Sequence, residues 1–133
     1  MKLGDTYKTL FSYSQKDVKK FAEVTGDNNP IHLDEEYASK TIFKKPIIHG
    51  FLSGCIFSKI LGIHFPGEGT IYLKQNMKFI LPMFVNKQYE AILEVINIDK
   101  EKHRSLIKTT IIDKKSGKTT ITGEALVQNP KIC

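Results

Sequence analysis

The hydrophobic and polar positions change their pattern once along the chain, near residue 70. Before that point, residues 15–25 carry apolar side chains three and four positions apart, which predicts an amphipathic helix. Ser14 is placed to cap its start, and Gly26 ends it. The preceding residues 6–14 are aromatic and β-branched, so they predict a first strand.

Two further segments of the first half predict helices. Asp34 is placed to cap a short helix over residues 35–43. After Pro46, residues 47–63 are apolar on almost every side, which is typical of a helix in the centre of a molecule. At about four turns, this helix is too short to span a bilayer.

Beyond residue 70, four β-rich runs separated by turn-prone residues predict strands. Their short connections favour antiparallel meander pairing. With the first strand they form one five-stranded sheet, and the apolar helix covers one of its faces. The runs are residues 70–81, 87–99, 104–113 and 118–128. We therefore expect an α+β fold, a single domain over residues 1–133 with a twisted antiparallel sheet wrapped around one buried helix.

Composition and charge exclude only a few classes of function. The chain has 41% hydrophobic and 26% charged residues, as an ordinary soluble globule has. The net charge of +6 permits an anionic partner, but the lysines are spread along the chain without an aromatic-studded basic stretch. We therefore expect neither nucleic acid nor a membrane as a partner. No signal-peptide pattern opens the sequence, so a cytoplasmic location is expected.

The two cysteines, Cys55 and Cys133, have no metal-binding or redox spacing. Cys55 falls in the apolar helix, and we expect it to be a buried thiol. No metal site is predicted.

The most polar stretch, TGDNNPIHLDEEYA (residues 25–38), lies between two predicted helices and contains Asp27 and His32. A turn over residues 28–30 brings these two side chains together. Their free pKa values, near 3.9 and 6.5, allow an anion and a neutral base to coexist at pH 7 and share one water. Alternatively, the turn only bonds its own backbone and His32 packs against Tyr37. The residues alone leave both interpretations open.

A second polar signal is PIIHGF, where Gly50 lies at the start of the apolar helix. The first N–H groups of a helix have no intrahelical partner, and glycine lets a ligand approach them closely. Such an N–H can polarise a carbonyl oxygen. Alternatively, Gly50 only relieves crowding against the sheet. His49 is expected to be a hydrogen-bonded residue at the start of the helix.

These motifs carry a resemblance to a known family. TGDNNPIHLDEEYA, KKPIIHGFLSGCIFSKILG and PGEGTIYLKQNMKFILPMFV occur in the same order as in the (R)-specific enoyl-CoA hydratases of the MaoC-like dehydratase family. The chain resembles them from about residue 4 to residue 128. The resemblance implies a hot-dog fold, a five-stranded antiparallel sheet around a long central helix with an overhanging loop–helix segment. It also implies a homodimer or a dimer of dimers.

The resemblance also implies roles for particular residues. The catalytic acid of the family falls on Asp27 and its catalytic histidine on His32. The asparagine that shapes the site falls on Asn29, and the glycine that binds the oxyanion falls on Gly50. The positions that match the acyl pocket are Ser58 and Leu61.

The implied activity is the reversible hydration of a trans-2-enoyl-CoA to an (R)-3-hydroxyacyl-CoA. CoA enters as part of the thioester substrate, and no cofactor is expected. The main alternative is a hot-dog acyl-CoA thioesterase, which shares the fold but releases free thiol. An acyl-CoA-binding module without catalysis needs no acid–base pair, and a nucleic-acid binder rests on the net charge alone.

Overall fold

The computed structural model describes all residues, 1–133, as five strands and four helices. The helices are α1 (Gln15–Thr25), α2 (Pro30–Leu33), α3 (Glu35–Ser39) and α4 (Gly50–Ile63). The strands are β1 (Thr6–Phe11), β2 (Ile71–Phe79), β3 (Tyr89–Asp99), β4 (Arg104–Asp113) and β5 (Thr119–Gln128).

The five strands form one antiparallel sheet in the order β1-β3-β4-β5-β2. The meander prediction is confirmed for β3, β4 and β5. It is wrong for β2, which pairs with β5 at the far edge of the sheet instead of with β3. The physical reason is that β1 occupies the free edge of β3, so β2 pairs with the remaining free edge.

The apolar helix α4 packs in the core, as its pattern predicts. Phe57, Ile60 and Leu61 are almost fully buried on it, together with the inward residues of β3, β4 and β5. Burial of a phenylalanine side chain stabilises a fold by about 1.5–3 kcal/mol, so Phe57 alone anchors α4 firmly in the core. None of the helices combines the length and the apolar character that a membrane crossing requires.

Several predicted bounds are too long. The helix predicted over residues 47–63 begins at Gly50, because the backbone of His49 has ψ 133° and is not helical. The preceding Ile47 and Ile48 N–H groups donate to the Ile31 and Met83 carbonyls. The helix predicted over residues 35–43 ends at Ser39.

Two other expectations need correction. The first strand ends at Phe11 instead of residue 14, because Ser14 is the N-cap residue of α1. Cys55 is exposed in the single chain, not buried, because it lies on the side of α4 that faces away from the core.

Candidate active site

The end of α1 presents Asp27. Ser14 and Asp17 form a capping box at the start of this helix. At its end Gly26 adopts φ 77°, a left-handed conformation that favours glycine, and its N–H donates to the Ala22 carbonyl at 2.8 Å. The chain therefore turns sharply, and the exposed Asp27 follows directly after the turn.

The short helix α2 presents His32. The Asn29 side chain caps this helix by accepting from the Ile31 N–H at 3.2 Å, and Pro30 occupies the first helical position. The sequence analysis did not predict α2, although asparagine followed by proline is a start signal for a helix. The turn does bond its own backbone through Asn29, as one interpretation expected.

His32 is held by two contacts. Its Nδ1 lies 2.8 Å from the Ile47 carbonyl oxygen. A carbonyl oxygen only accepts, so Nδ1 carries the hydrogen and, in the neutral ring, Nε2 keeps a free lone pair. The ring stacks on His49 with 3.9 Å between centroids and 28° between planes. His32 therefore packs against His49, not against Tyr37.

The surroundings of His32 favour its neutral form. Burial lowers the pKa of His32 below its usual 6.5, and the neighbouring His49 acts in the same direction. The bond to the Ile47 carbonyl and the charge of Asp27 oppose this shift without cancelling it. At pH 7 the imidazole is a free base.

The carboxylate and the imidazole come close enough to share one water. One carboxylate oxygen of Asp27 and one ring nitrogen each of His32 and His49 lie within 4.8 Å of one another. Two hydrogen bonds of about 2.8 Å span up to roughly 5.6 Å, so one water reaches two of these atoms.

Gly50 is the first residue of α4, and its N–H donates no hydrogen bond within the chain. A Cβ on Gly50 lies 2.6 Å from Cε1 of Phe79, so a larger residue displaces that ring. The close approach and the free N–H occur at the same residue. Gly50 therefore leaves its own N–H accessible, at a position where any larger side chain occupies part of the cavity.

A cavity of about 420 Å³ joins His32 to Gly50. Its walls are mostly apolar, with Phe43, Phe79 and Met83 among them. Asp27 does not line this cavity and is exposed to solvent. An apolar pocket with a base and a backbone donor at one end suits an acyl group with a polar head. No local sequence pattern identified these wall residues, because they come from three separate segments of the chain.

The two predicted acyl-pocket residues lie apart from this cavity. Ser58 is exposed and lines a separate surface depression between α4 and β2. Leu61 is 1% exposed and belongs to the core. Phe51 lines both the cavity and the depression, so the two are adjacent.

The comparisons with known proteins agree with this arrangement. The sequence profile described as "MaoC like domain" matches residues 2–119. The chain is 37% identical over 130 residues to the (R)-specific enoyl-CoA hydratase of Aeromonas caviae, covering 98% of this chain and 96% of that protein. It is also 37% identical over 118 residues to the 3-hydroxybutyryl-CoA dehydratase of Methylorubrum extorquens, covering 89% and 74% of the two chains.

Solved structures show the same fold. The (R)-hydratase from A. caviae involved in PHA biosynthesis superimposes with a TM-score of 0.93 at 36% identity, covering 98% of both chains. The R-hydratase PhaJ1 from Pseudomonas aeruginosa gives a TM-score of 0.91 at 36% identity, covering 98% of this chain and 83% of that one. The predicted hot-dog fold is confirmed, and the chain belongs to the MaoC-like domain family.

Proposed function

We propose that this protein is a hydro-lyase that reversibly hydrates a trans-2-enoyl-CoA to an (R)-3-hydroxyacyl-CoA. The observation that carries the proposal is that His32 and Gly50, with its free N–H, line one apolar cavity, while a carboxylate oxygen of Asp27 lies within 4.8 Å of a ring nitrogen of His32. An addition of water across a conjugated double bond needs a held water, a base and a donor for the thioester oxygen. The relatives named above are hydratases and dehydratases.

In the proposed reaction, Asp27 and His32 hold one water on a single face of the double bond. Nε2 of His32 takes one proton from the water as its oxygen bonds to C3, while the other hydrogen stays on that oxygen and donates a hydrogen bond to the Asp27 carboxylate. The same proton then passes from His32 to C2, so all atoms of the water end in the product. Asn29 shapes the site by capping the helix that carries His32.

Gly50 stabilises the charge that develops on the thioester oxygen. Its N–H lies at the positive end of α4, and an oxyanion-hole donor of this kind is worth about 3 kcal/mol. The reaction balances with water and the thioester alone, so the proposal includes no cofactor beyond the CoA of the substrate.

The acyl chain is proposed to extend along α4 toward Ser58 and Leu61. Phe51 lines both the cavity and the depression that contains Ser58, so the two lie next to each other on α4. Leu61 is buried about one turn of α4 from Ser58, so its proposed effect on the acyl group acts through the packing of the core.

We also propose a homodimer, formed through β2 and the exposed side of α4. β2 is an edge strand, and such edges pair readily with a second chain. Large apolar side chains are exposed along this surface: Phe51, Ile71, Tyr72, Leu73 and Phe79. Association of two dimers into a dimer of dimers and a cytoplasmic location stay predictions from the sequence.

The proposal is tested with purified protein and crotonyl-CoA, with enoyl absorbance and free thiol followed in one cuvette. A hydratase removes the enoyl signal without releasing thiol, and chiral analysis of the product then gives the (R) form. Thiol release instead assigns a thioesterase. If neither signal changes with crotonyl-CoA or with an octenoyl-CoA, the proposed function is wrong.

A further inference from the structure

His49 makes three contacts at the centre of the site. It is 2% exposed and immediately precedes α4. Its Nε2 lies 3.0 Å from the main-chain oxygen of Asp27, and since that oxygen only accepts, Nε2 carries the hydrogen. Its ring stacks on His32 and meets Phe21 edge to face at 4.8 Å.

Packing alone does not explain a histidine at this position. The side chain makes no capping bond to α4, and its Nδ1 is buried without a hydrogen-bond partner. A buried polar atom without a partner destabilises a fold, whereas a phenyl ring fills similar space without that cost. The imidazole therefore contributes something that an apolar ring does not, and its Nε2–H bond to Asp27 is the one bond it makes.

We propose that His49 is a positioning residue for the Asp27–His32 pair. Its Nε2–H bond holds the main chain at Asp27 while its ring supports the ring of His32. One side chain thus sets the separation of the carboxylate from the imidazole. The proposal rests on the proposed function for its catalytic consequence, whereas the anchoring itself is a property of the free protein.

Two variants distinguish the hydrogen bond that His49 donates from the packing of its ring. His49→Phe keeps the ring and loses the donor, and His49→Gln keeps an N–H near the position of Nε2. We expect His49→Phe to lower kcat about 10–100-fold with KM changed less than about threefold, because misplaced catalytic groups slow chemistry more than binding. We expect His49→Gln to have a kcat between that of His49→Phe and that of the wild type. Phe21→Leu, which alters a packing contact only, stays within about twofold of wild type.

A pH measurement adds a readout that a purely structural role leaves unchanged. The groups that face His32 are His49, Asp27 and the Ile47 carbonyl, and His49 lowers the pKa of His32. Without His49 that pKa rises, so the acidic limb of kcat/KM moves to higher pH in His49→Phe. The same rise is measured by NMR titration of His32 without substrate. This second measurement tests the contact between His49 and His32 even where wild type shows no hydratase activity.

The outcomes decide the proposal. A folded His49→Phe protein with kcat within twofold of wild type, or with the His32 titration unchanged, overturns it. If His49→Phe fails to fold, the imidazole ¹⁵N shifts of the wild-type protein decide. A hydrogen on Nε2 of His49 supports the proposal, and a hydrogen on Nδ1 alone overturns it.

Discussion

At the scale of single residues, the chemistry of the site depends on which nitrogen of each imidazole ring carries the hydrogen. The Ile47 carbonyl holds the hydrogen of His32 on Nδ1, which leaves Nε2 as the free base. Burial lowers the pKa of His32, so the ring is neutral where the proposed reaction needs a base. The carboxylate of Asp27 accepts no hydrogen bond from the chain, so it is available to a water.

Removal of either member of the pair is expected to abolish most of the activity. Asp27→Asn and His32→Gln should each lower kcat by about 100-fold or more, the usual contribution of a positioned acid or base. Steady-state rates with crotonyl-CoA measure the loss, and circular dichroism checks the fold. Asn28→Ala, at the exposed neighbouring position, is the control and should keep the wild-type rate. Near wild-type rates in either dyad variant contradict the assignment.

The lowered pKa of His32 also predicts a pH dependence of stability. The native ring resists protonation, while the unfolded chain takes up its proton near pH 6.5. The unfolded state thus binds more protons in acid, and the free energy of unfolding falls as the pH drops through 6.5. Urea unfolding at pH 7.5 and 5.5 measures this fall, which should be smaller in His32→Gln. An equal fall in both proteins excludes His32 as its source.

At the scale of elements, close backbone contacts place the segments that carry the site. Gly50 lets α4 approach Phe79 at the end of β2, and Gly123 lets β5 approach the backbone of β2. Each glycine stands where a Cβ meets a neighbouring element. The position of the cavity wall on β2 therefore depends on these two contacts.

Gly123→Ala tests the second contact. A Cβ there overlaps with the main-chain oxygen of Asn76, so the two strands must separate. We expect a loss of about 2–3 kcal/mol in the free energy of unfolding, measured by urea titration. Gly62→Ala, where a Cβ meets nothing within 4 Å on helix α4, is the control and should raise stability by about 0.5–1 kcal/mol. A neutral Gly123→Ala variant contradicts the close approach of β2 and β5.

At the scale of the whole molecule, the proposed dimer accounts for the apolar edge of the sheet. Leu73 is 41% exposed on β2, a strand with one free edge. A single chain that exposes such an edge is prone to pair with another copy.

Sedimentation equilibrium should give about twice the 15.1 kDa of one chain. Leu73→Glu should shift this mass toward the monomer, because a charge is costly inside an apolar interface. Ile42→Glu is the control, since Ile42 is 87% exposed and lies on the loop after α3. A monomeric wild-type protein excludes the dimer.

Chain-length preference tests the proposed acyl path. Ser58→Phe fills the depression between α4 and β2, so turnover of octenoyl-CoA should fall at least about tenfold relative to crotonyl-CoA. A Leu61→Ala change, which leaves space in the core about one turn of α4 from Ser58, should favour the longer substrate. Lys59→Phe, at the next exposed position of α4, leaves the ratio unchanged. Equal losses at both chain lengths place the acyl group elsewhere.

The sequence by itself determined the element types, the central helix and the polar stretch with Asp27 and His32. These features follow from local signals, namely hydrophobic periodicity, caps and turn residues, and from motifs whose order is preserved along the chain. The family resemblance assigned the candidate roles, which spacing alone left open.

Only the tertiary structure decided the position of β2, the start of α4 and the surroundings of His32. The partner of β2 depends on which sheet edge β1 leaves free. The stack of His32 on His49 and the bond from His49 to Asp27 join residues 17 and 22 positions apart, and the cavity walls come from still more distant segments. Local patterns do not encode such contacts, because they form only when separate elements pack against one another.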